Sequence, residues 1–218
     1  ADLVILGNPN NPTGQSVSRP VLEQVLAVCH RIGCMLMMDE SFFDFLVPED
    51  QKRTMDCTKI AGEDPSVFVL KSFTKMYAMP GLRFGYAICA DVKLLEQMRS
   101  GMQPWNVSLP AQEAAVAALQ NPDWVQRARA LVSEQREYLT RALQSLKLTV
   151  CPSRANYLLF CAPVGLDEAL RREKIAIRNC KNYAGLTPGW YRIAVRQKEE
   201  NEALVNAIRR AMEEPSWH

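Results

Sequence analysis

Val67-Phe68-Val69-Leu70-Lys71-Ser72-Phe73-Thr74-Lys75-Met76-Tyr77-Ala78-Met79-Pro80-Gly81-Leu82-Arg83-Phe84-Gly85-Tyr86 sets the fold class and the chemistry together. Residues 67–70 and 83–89 are short, apolar and β-prone, so they are predicted as strands, with a polar loop between them. Loops that leave strand ends are where α/β proteins collect binding groups. This one offers Ser72, Lys71, Lys75 and Arg83. A lysine among Phe73, Met76, Tyr77 and Met79 is expected to be partly desolvated. Desolvation lowers the cost of deprotonating its amine for attack on a carbonyl. Taken alone, the stretch equally describes a solvated lysine beside a surface serine.

The bulk numbers narrow the classes. The 218 residues suffice for one large domain or one and a half, with 48% apolar and 23% charged residues and a net charge of +2. No basic excess argues for nucleic acid, and the apolar runs are too short and interrupted to span a bilayer. The chain opens Ala1-Asp2 and enters a strand at once, without a signal-peptide pattern. Seven scattered cysteines include no CxxC pair, which fits reduced thiols in a cytoplasmic protein. With His30 and His218 the two histidines, metal or histidine chemistry is not expected, and the work falls to Lys, Asp, Arg or a bound cofactor.

Outward from the central loop, residues 3–6 and 35–38 are further buried-type strands. Between them lie the turn formers Gly7-Asn8-Pro9-Asn10-Asn11-Pro12-Thr13-Gly14 and a helix capped by Ser18, with Pro20 in its first turn. Its apolar face is Val21, Leu22, Val25, Leu26 and Cys29, and it stops near Gly33. Residues 44–65 are polar and irregular, with a turn of helix. Helices are predicted over 92–101, 111–119 and 123–146, the last long and amphipathic. A second block follows, with strands at 148–151, 157–161, 175–178 and 191–195 and helices at 167–173 and 201–212. This patterning is α/β, with a boundary near 130–145 and domains assigned as 1–135 and 136–218. A strand so close to residue 1 also leads to the expectation that an N-terminal part of the fold is missing.

Three strand ends thus carry distinct polar groups: Asn11, then Asp39, then Ser72, Lys75 and Arg83. Asn-Pro-Asn-Asn-Pro-Thr-Gly, Asp-Glu-Ser-Phe and Ser-Phe-Thr-Lys, with Arg83 eight residues beyond Lys75, resemble the class I/II aminotransferase family of fold-type I pyridoxal-phosphate enzymes. The resemblance covers essentially the whole chain and about the C-terminal two-thirds of a usual member. It implies a partial three-layer α/β/α large domain with a C-terminal α+β small domain, a pyridoxal 5'-phosphate cofactor and a homodimer. By the same resemblance Lys75 forms the internal Schiff base and moves protons, Asp39 pairs with the pyridine nitrogen, and Asn11 bonds the ring oxygen. Ser72 and Arg83 would hold the cofactor phosphate, and Glu40 is assigned a structural role. Where the family has a tyrosine three residues after the aspartate, donating to the ring oxygen, this chain has Phe42 at the cofactor position, which cannot donate. The proton affinity of the cofactor linkage is therefore expected to be tuned differently.

In the second block the resemblance makes Arg192 the clamp for the substrate carboxylate. It directs Arg178 toward the substrate's distal end or its carboxylate, and Asn156 is expected to line the same pocket. The pattern around Ile175–Leu186 and Tyr191–Arg196, with Phe42, is most similar to the threonine-phosphate decarboxylases of cobalamin biosynthesis, relatives of the histidinol-phosphate aminotransferases. That similarity implies loss of CO2 from L-threonine O-3-phosphate, a small amino acid phosphate, to give (R)-1-amino-2-propanol O-2-phosphate. A histidinol-phosphate-type aminotransferase, and an inactive fragment lacking part of the site, stand as alternatives.

Overall fold

Residues 1–213 are described by a computed structural model, so His218 lies outside the described residues. The chain divides into two compact units: Ala1–Asn10 with Ser16–Arg129, and Asn11–Gln15 with the chain from Ala130 onward. A partition at residue 135 keeps Asn11–Gln15 with the first block. The structure groups that segment with the second unit.

The first unit is built on a mixed sheet of β1 (Leu3–Gly7), β2 (Met35–Asp39), β3 (Val67–Ser72) and β4 (Gly85–Ile88), in that order. The first three strands run parallel and β4 is antiparallel to β3. Helix α1 (Arg19–Ile32) lays Leu22 and Cys29 against the sheet residues Leu36, Met38, Val67 and Val69 in one apolar cluster. Gly33 ends α1 in the left-handed conformation at φ 67°, which a glycine adopts without a Cβ clash. Ser18 occupies the N-cap position, but its side chain makes no capping bond; Pro20 fixes the first turn instead.

The stretch expected to be irregular is more ordered than its polarity suggests. A 3-10 turn at Phe43–Phe45 precedes α2 (Pro48–Arg53) and α3 (Thr58–Glu63), and buried Phe43, Phe45, Leu46, Met55, Cys57 and Ala61 hold the segment down. The apolar residues are spaced too irregularly to show either period, so tertiary burial decided this region. Helix α4 (Phe73–Met76) is a single turn; α5 (Val92–Gly101) and α6 (Leu109–Leu119) are capped by the side chains of Asp91 and Ser108. Helix α7 (Pro122–Ser145) carries the division at Arg129 and Ala130.

The second unit holds an antiparallel sheet of order β5-β6-β8-β7: β5 (Thr149–Val150), β6 (Tyr157–Cys161), β8 (Trp190–Ala194) and β7 (Arg178–Asn179). Helices α8 (Leu166–Arg172) and α9 (Lys198–Glu213) pack together, and the core includes Leu158, Leu159, Phe160, Leu170, Tyr191 and Ile208. The strand expected at 175–178 is shorter and later. Ile175 donates its N–H to Leu170 O, closing α8, and pairing with β8 begins at Arg178. No helix among the described residues is long and apolar enough to cross a membrane.

Candidate active site

The register of the parallel strands aligns their C-terminal ends. Gly7 pairs with Asp39, and Asp39 with Leu70. The main chain carries the alignment one residue further: Asn8 N–H donates to Asp39 O and Glu40 N–H to Leu70 O, each at 2.9 Å. Asp39, Ser72 and Lys75 are therefore delivered by adjacent strand ends, the usual location of a ligand site in such sheets.

Asp39 accepts the N–H of Ser41 on Oδ1 at 3.0 Å, which orients its carboxylate. Ser72 caps the single turn of α4; its Oγ accepts from Thr74 N–H and lies 2.7 Å from Thr74 Oγ1. Lys75 Nζ donates to Thr74 Oγ1 at 2.7 Å and stands 5.8 Å from the centre of the Phe42 ring. Lys75 is exposed, whereas Phe73 and Met76 turn into the core. The expectation of a lysine desolvated by those neighbours is corrected: a one-turn helix sends residues two apart to different sides. The following loop places two non-glycine residues, Ala78 and Arg83, at φ 51° and 55°. Such left-handed residues are uncommon and concentrate where a loop must present groups precisely. Arg83 is exposed and donates from Nη1 to Pro80 O at 3.0 Å.

Asn8 carries a role the motif alone did not reveal. Fully buried, it donates to Thr54 Oγ1 at 3.0 Å and accepts from Val17 N–H at 3.1 Å, tying the two sides of the Asn-Pro loop to the 43–58 segment. Glu40 and Lys71 form a buried ion pair of 2.8 Å between Oε2 and Nζ. Burial pushes the Glu40 carboxyl up, against the opposing pull of Lys71. Burial pushes Lys71 down, but Glu40, with Asp44 and Asp56 adding to it, more than offsets this and the ammonium is held above its ordinary range. Cys57, beside Glu40, is pushed up to about 12, by burial first and then by the neighbouring carboxylates.

The second unit gathers the remaining residues. Arg192 Nη1 donates to Asn11 Oδ1, and its guanidinium lies 5.3 Å from the Tyr157 ring centre. Arg178 is the direct register partner of Arg192 across β7 and β8, and donates to Asn182 Oδ1 at 3.3 Å. Among the described residues, Asn156 Oδ1 is buried with no hydrogen-bond partner. The Asn11–Gln15 segment is fastened here by Arg154 N–H to Gly14 O at 2.8 Å. Gly14 has φ 73°, and a Cβ there would meet Ser153 Oγ at 2.0 Å, so glycine is required twice over.

Carboxylate, hydroxyl, amine and guanidinium together suit a ligand with a basic ring nitrogen, a carbonyl and a phosphate. The donor set thus fits pyridoxal phosphate.

Comparison with known proteins agrees. The model of the aminotransferase class I and II family matches residues 1–208, and the chain belongs to that family, whose enzymes use pyridoxal phosphate. A threonine-phosphate decarboxylase of Salmonella typhimurium is 37% identical over 97% of this chain and 58% of its own length. Histidinol-phosphate aminotransferase 2 of Archaeoglobus fulgidus is 32% identical over 95% of this chain and 57% of its own length. The crystal structure of the histidinol-phosphate aminotransferase from Clostridium acetobutylicum superposes with TM-score 0.88 at 26% identity, covering 96% of this chain and 63% of that one. The chain therefore spans a little under three-fifths of the curated relatives it matches.

Proposed function

We propose that this chain carries out pyridoxal-phosphate-dependent decarboxylation of L-threonine O-3-phosphate, giving (R)-1-amino-2-propanol O-2-phosphate for cobalamin biosynthesis. The observation that carries the substrate class is the pairing of Arg178 with Arg192. Like charges directly opposite on antiparallel strands repel each other. Anions on the ligand relieve that repulsion, and a substrate with a carboxylate and a phosphate supplies two. The 37% identity to a decarboxylase supports the reaction type.

Bound pyridoxal phosphate supplies an electron sink for the charge left on the substrate α-carbon. The residues of this chain do the rest. Asp39, its carboxylate fixed by Ser41 N–H, keeps a proton on the ring nitrogen by charge pairing. Ser72 and Arg83 bind the cofactor phosphate, the arginine through charge-assisted bonds, and Asn11 serves the ring oxygen. Arg192 holds the substrate carboxylate so that the bond from Cα to the carboxylate stands clear of competing bonds to Cα. Asn156 offers its unpaired acceptor to a donor of the substrate, and Arg178 takes the distal phosphate. Lys75 Nζ moves the proton that replaces CO2 on Cα. The reading includes a homodimer, and free cysteines at all seven positions support the cytoplasm as its compartment.

A second reading, amino transfer from histidinol phosphate, is favoured by the 32% identical Archaeoglobus aminotransferase. The two differ in which bond to Cα is broken. The test is incubation with L-threonine O-3-phosphate, and separately with histidinol phosphate, each with and without 2-oxoglutarate. Release of CO2 supports the decarboxylase, while amino transfer to 2-oxoglutarate without CO2 sinks it.

A further inference from the structure

We infer that the buried Glu40–Lys71 ion pair is a positioning element, holding the Asp39 carboxylate and the Ser72–Lys75 turn at a fixed span. The inference rests on the assignment of Asp39, Ser72 and Lys75 to pyridoxal phosphate. Glu40 is the residue after Asp39, and Lys71 the residue before Ser72. The β2–β3 register ends at Asp39 with Leu70. Past that point one main-chain bond remains, Glu40 N–H to Leu70 O, and the 2.8 Å bridge takes over where ladder pairing stops. Within β3 the pleat turns Lys71 to the opposite side of the strand from Ser72, so the bridge works from behind the ligand-facing residues.

The pair is anchored on several sides. Glu40 is 0% and Lys71 8% exposed. Glu40 Oε1 accepts Cys57 N–H at 2.9 Å, Lys71 Nζ lies 4.6 Å from the Phe43 ring centre, and Asp56 Oδ1 is 4.0 Å from the same ammonium. A buried ion pair is a poor device for stability alone, because an apolar pair of similar volume is often as stable. What the charged pair adds is one defined separation between two strand ends. A cofactor gripped at its ring nitrogen from one strand and at its phosphate from the other needs that separation fixed closely.

The test compares the protein with Glu40→Leu/Lys71→Met, Lys71→Arg and Glu40→Asp, titrating each with pyridoxal phosphate alone. Affinity, the pH midpoint of the bound cofactor's absorbance and the melting temperature are recorded. The double variant also strips Cys57 N–H of its acceptor, so it is expected to melt somewhat below the parent, while its folded fraction binds the cofactor about tenfold more weakly, with a displaced midpoint. Lys71→Arg should restore both, because it keeps the pair. If the double variant does not fold, Glu40→Asp, one methylene shorter with the charge retained, is expected to show the same weakened affinity and moved midpoint. Parental affinity and midpoint in whichever of these two variants folds overturn the role, as does an affinity loss that only tracks the loss of folded protein. A parent that takes up no pyridoxal phosphate overturns the assignment of the site and the pair's role with it.

Discussion

Arg192 donates a hydrogen bond to Asn11, a residue 181 positions earlier in the chain. Two motifs far apart in the sequence, one proposed for cofactor and one for substrate, are thus in direct contact within one compact unit. On the proposed reading, a carboxylate arriving at Arg192 would meet a guanidinium whose orientation Asn11 already restrains.

Replacing that fork with a point charge should be costly. Arg192→Lys is expected to raise KM for the substrate at least tenfold, the loss of one charge-assisted bond of about 1.5–3 kcal/mol. Arg178→Ala should weaken binding of the phosphorylated substrate but leave the unphosphorylated amino acid nearly unaffected. Steady-state kinetics on the two substrates checks the assignment; equal losses on both would remove Arg178 from the phosphate.

Lys75→Ala should lower kcat by about a thousandfold or more, as expected for a residue that moves the proton at the reacting carbon. Melting should be unchanged, since Lys75 is exposed. Single-turnover measurement with the cofactor bound distinguishes this from a folding defect.

Lys71→Met leaves Glu40 buried without its partner and should cost about 3–5 kcal/mol near neutral pH. The pH dependence follows from the direction of the Glu40 shift. Burial raises its folded-state pKa above the unfolded value of about 4.3, and removing Lys71 takes away the opposing pull. The folded variant then binds a proton the unfolded chain does not, so its stability should increase as pH falls through the raised pKa toward the unfolded one. Urea denaturation from pH 8 to pH 5 reads this directly. A variant whose stability is flat across that range contradicts the buried assignment.

Gly85→Ala tests the close approach of β4 to the lysine strand. A Cβ at Gly85 would stand 2.7 Å from Lys71 O, so the backbone beside Ser72 must shift. A loss of roughly 1–3 kcal/mol is expected, together with weaker cofactor binding. Gly81→Ala, which meets nothing within 4 Å, is the control and should be close to neutral.

The order of most elements was legible from the sequence, because it rests on local signals, and Asp39 and Lys75 were legible as candidates. Unbroken apolar runs marked β1, β2 and β3, the 3.6 period marked α1 and α7, and Gly33 marked a stop. Asp39 and Lys75 stood out because each follows or punctuates a buried strand with a group such a strand does not need. Beyond one turn of helix, the pair α2 and α3 was not legible: α2 buries no residue and α3 buries Ala61, while the segment is held by Phe43, Phe45, Leu46, Met55 and Cys57 around them, which follow no local period. Nor was the exposure of Lys75, because a single helical turn decided which neighbours faced the core.

By itself, then, the sequence determined which residue types occupy the strand ends and in what order, since strand and helix periodicity are properties of neighbouring residues. Tertiary structure alone decided which ends align, that Asn11 meets Arg192, and that Glu40 and Lys71 neutralise each other out of water. Those relations depend on register and burial, quantities that arise only when distant segments are brought together, and no local pattern encodes them.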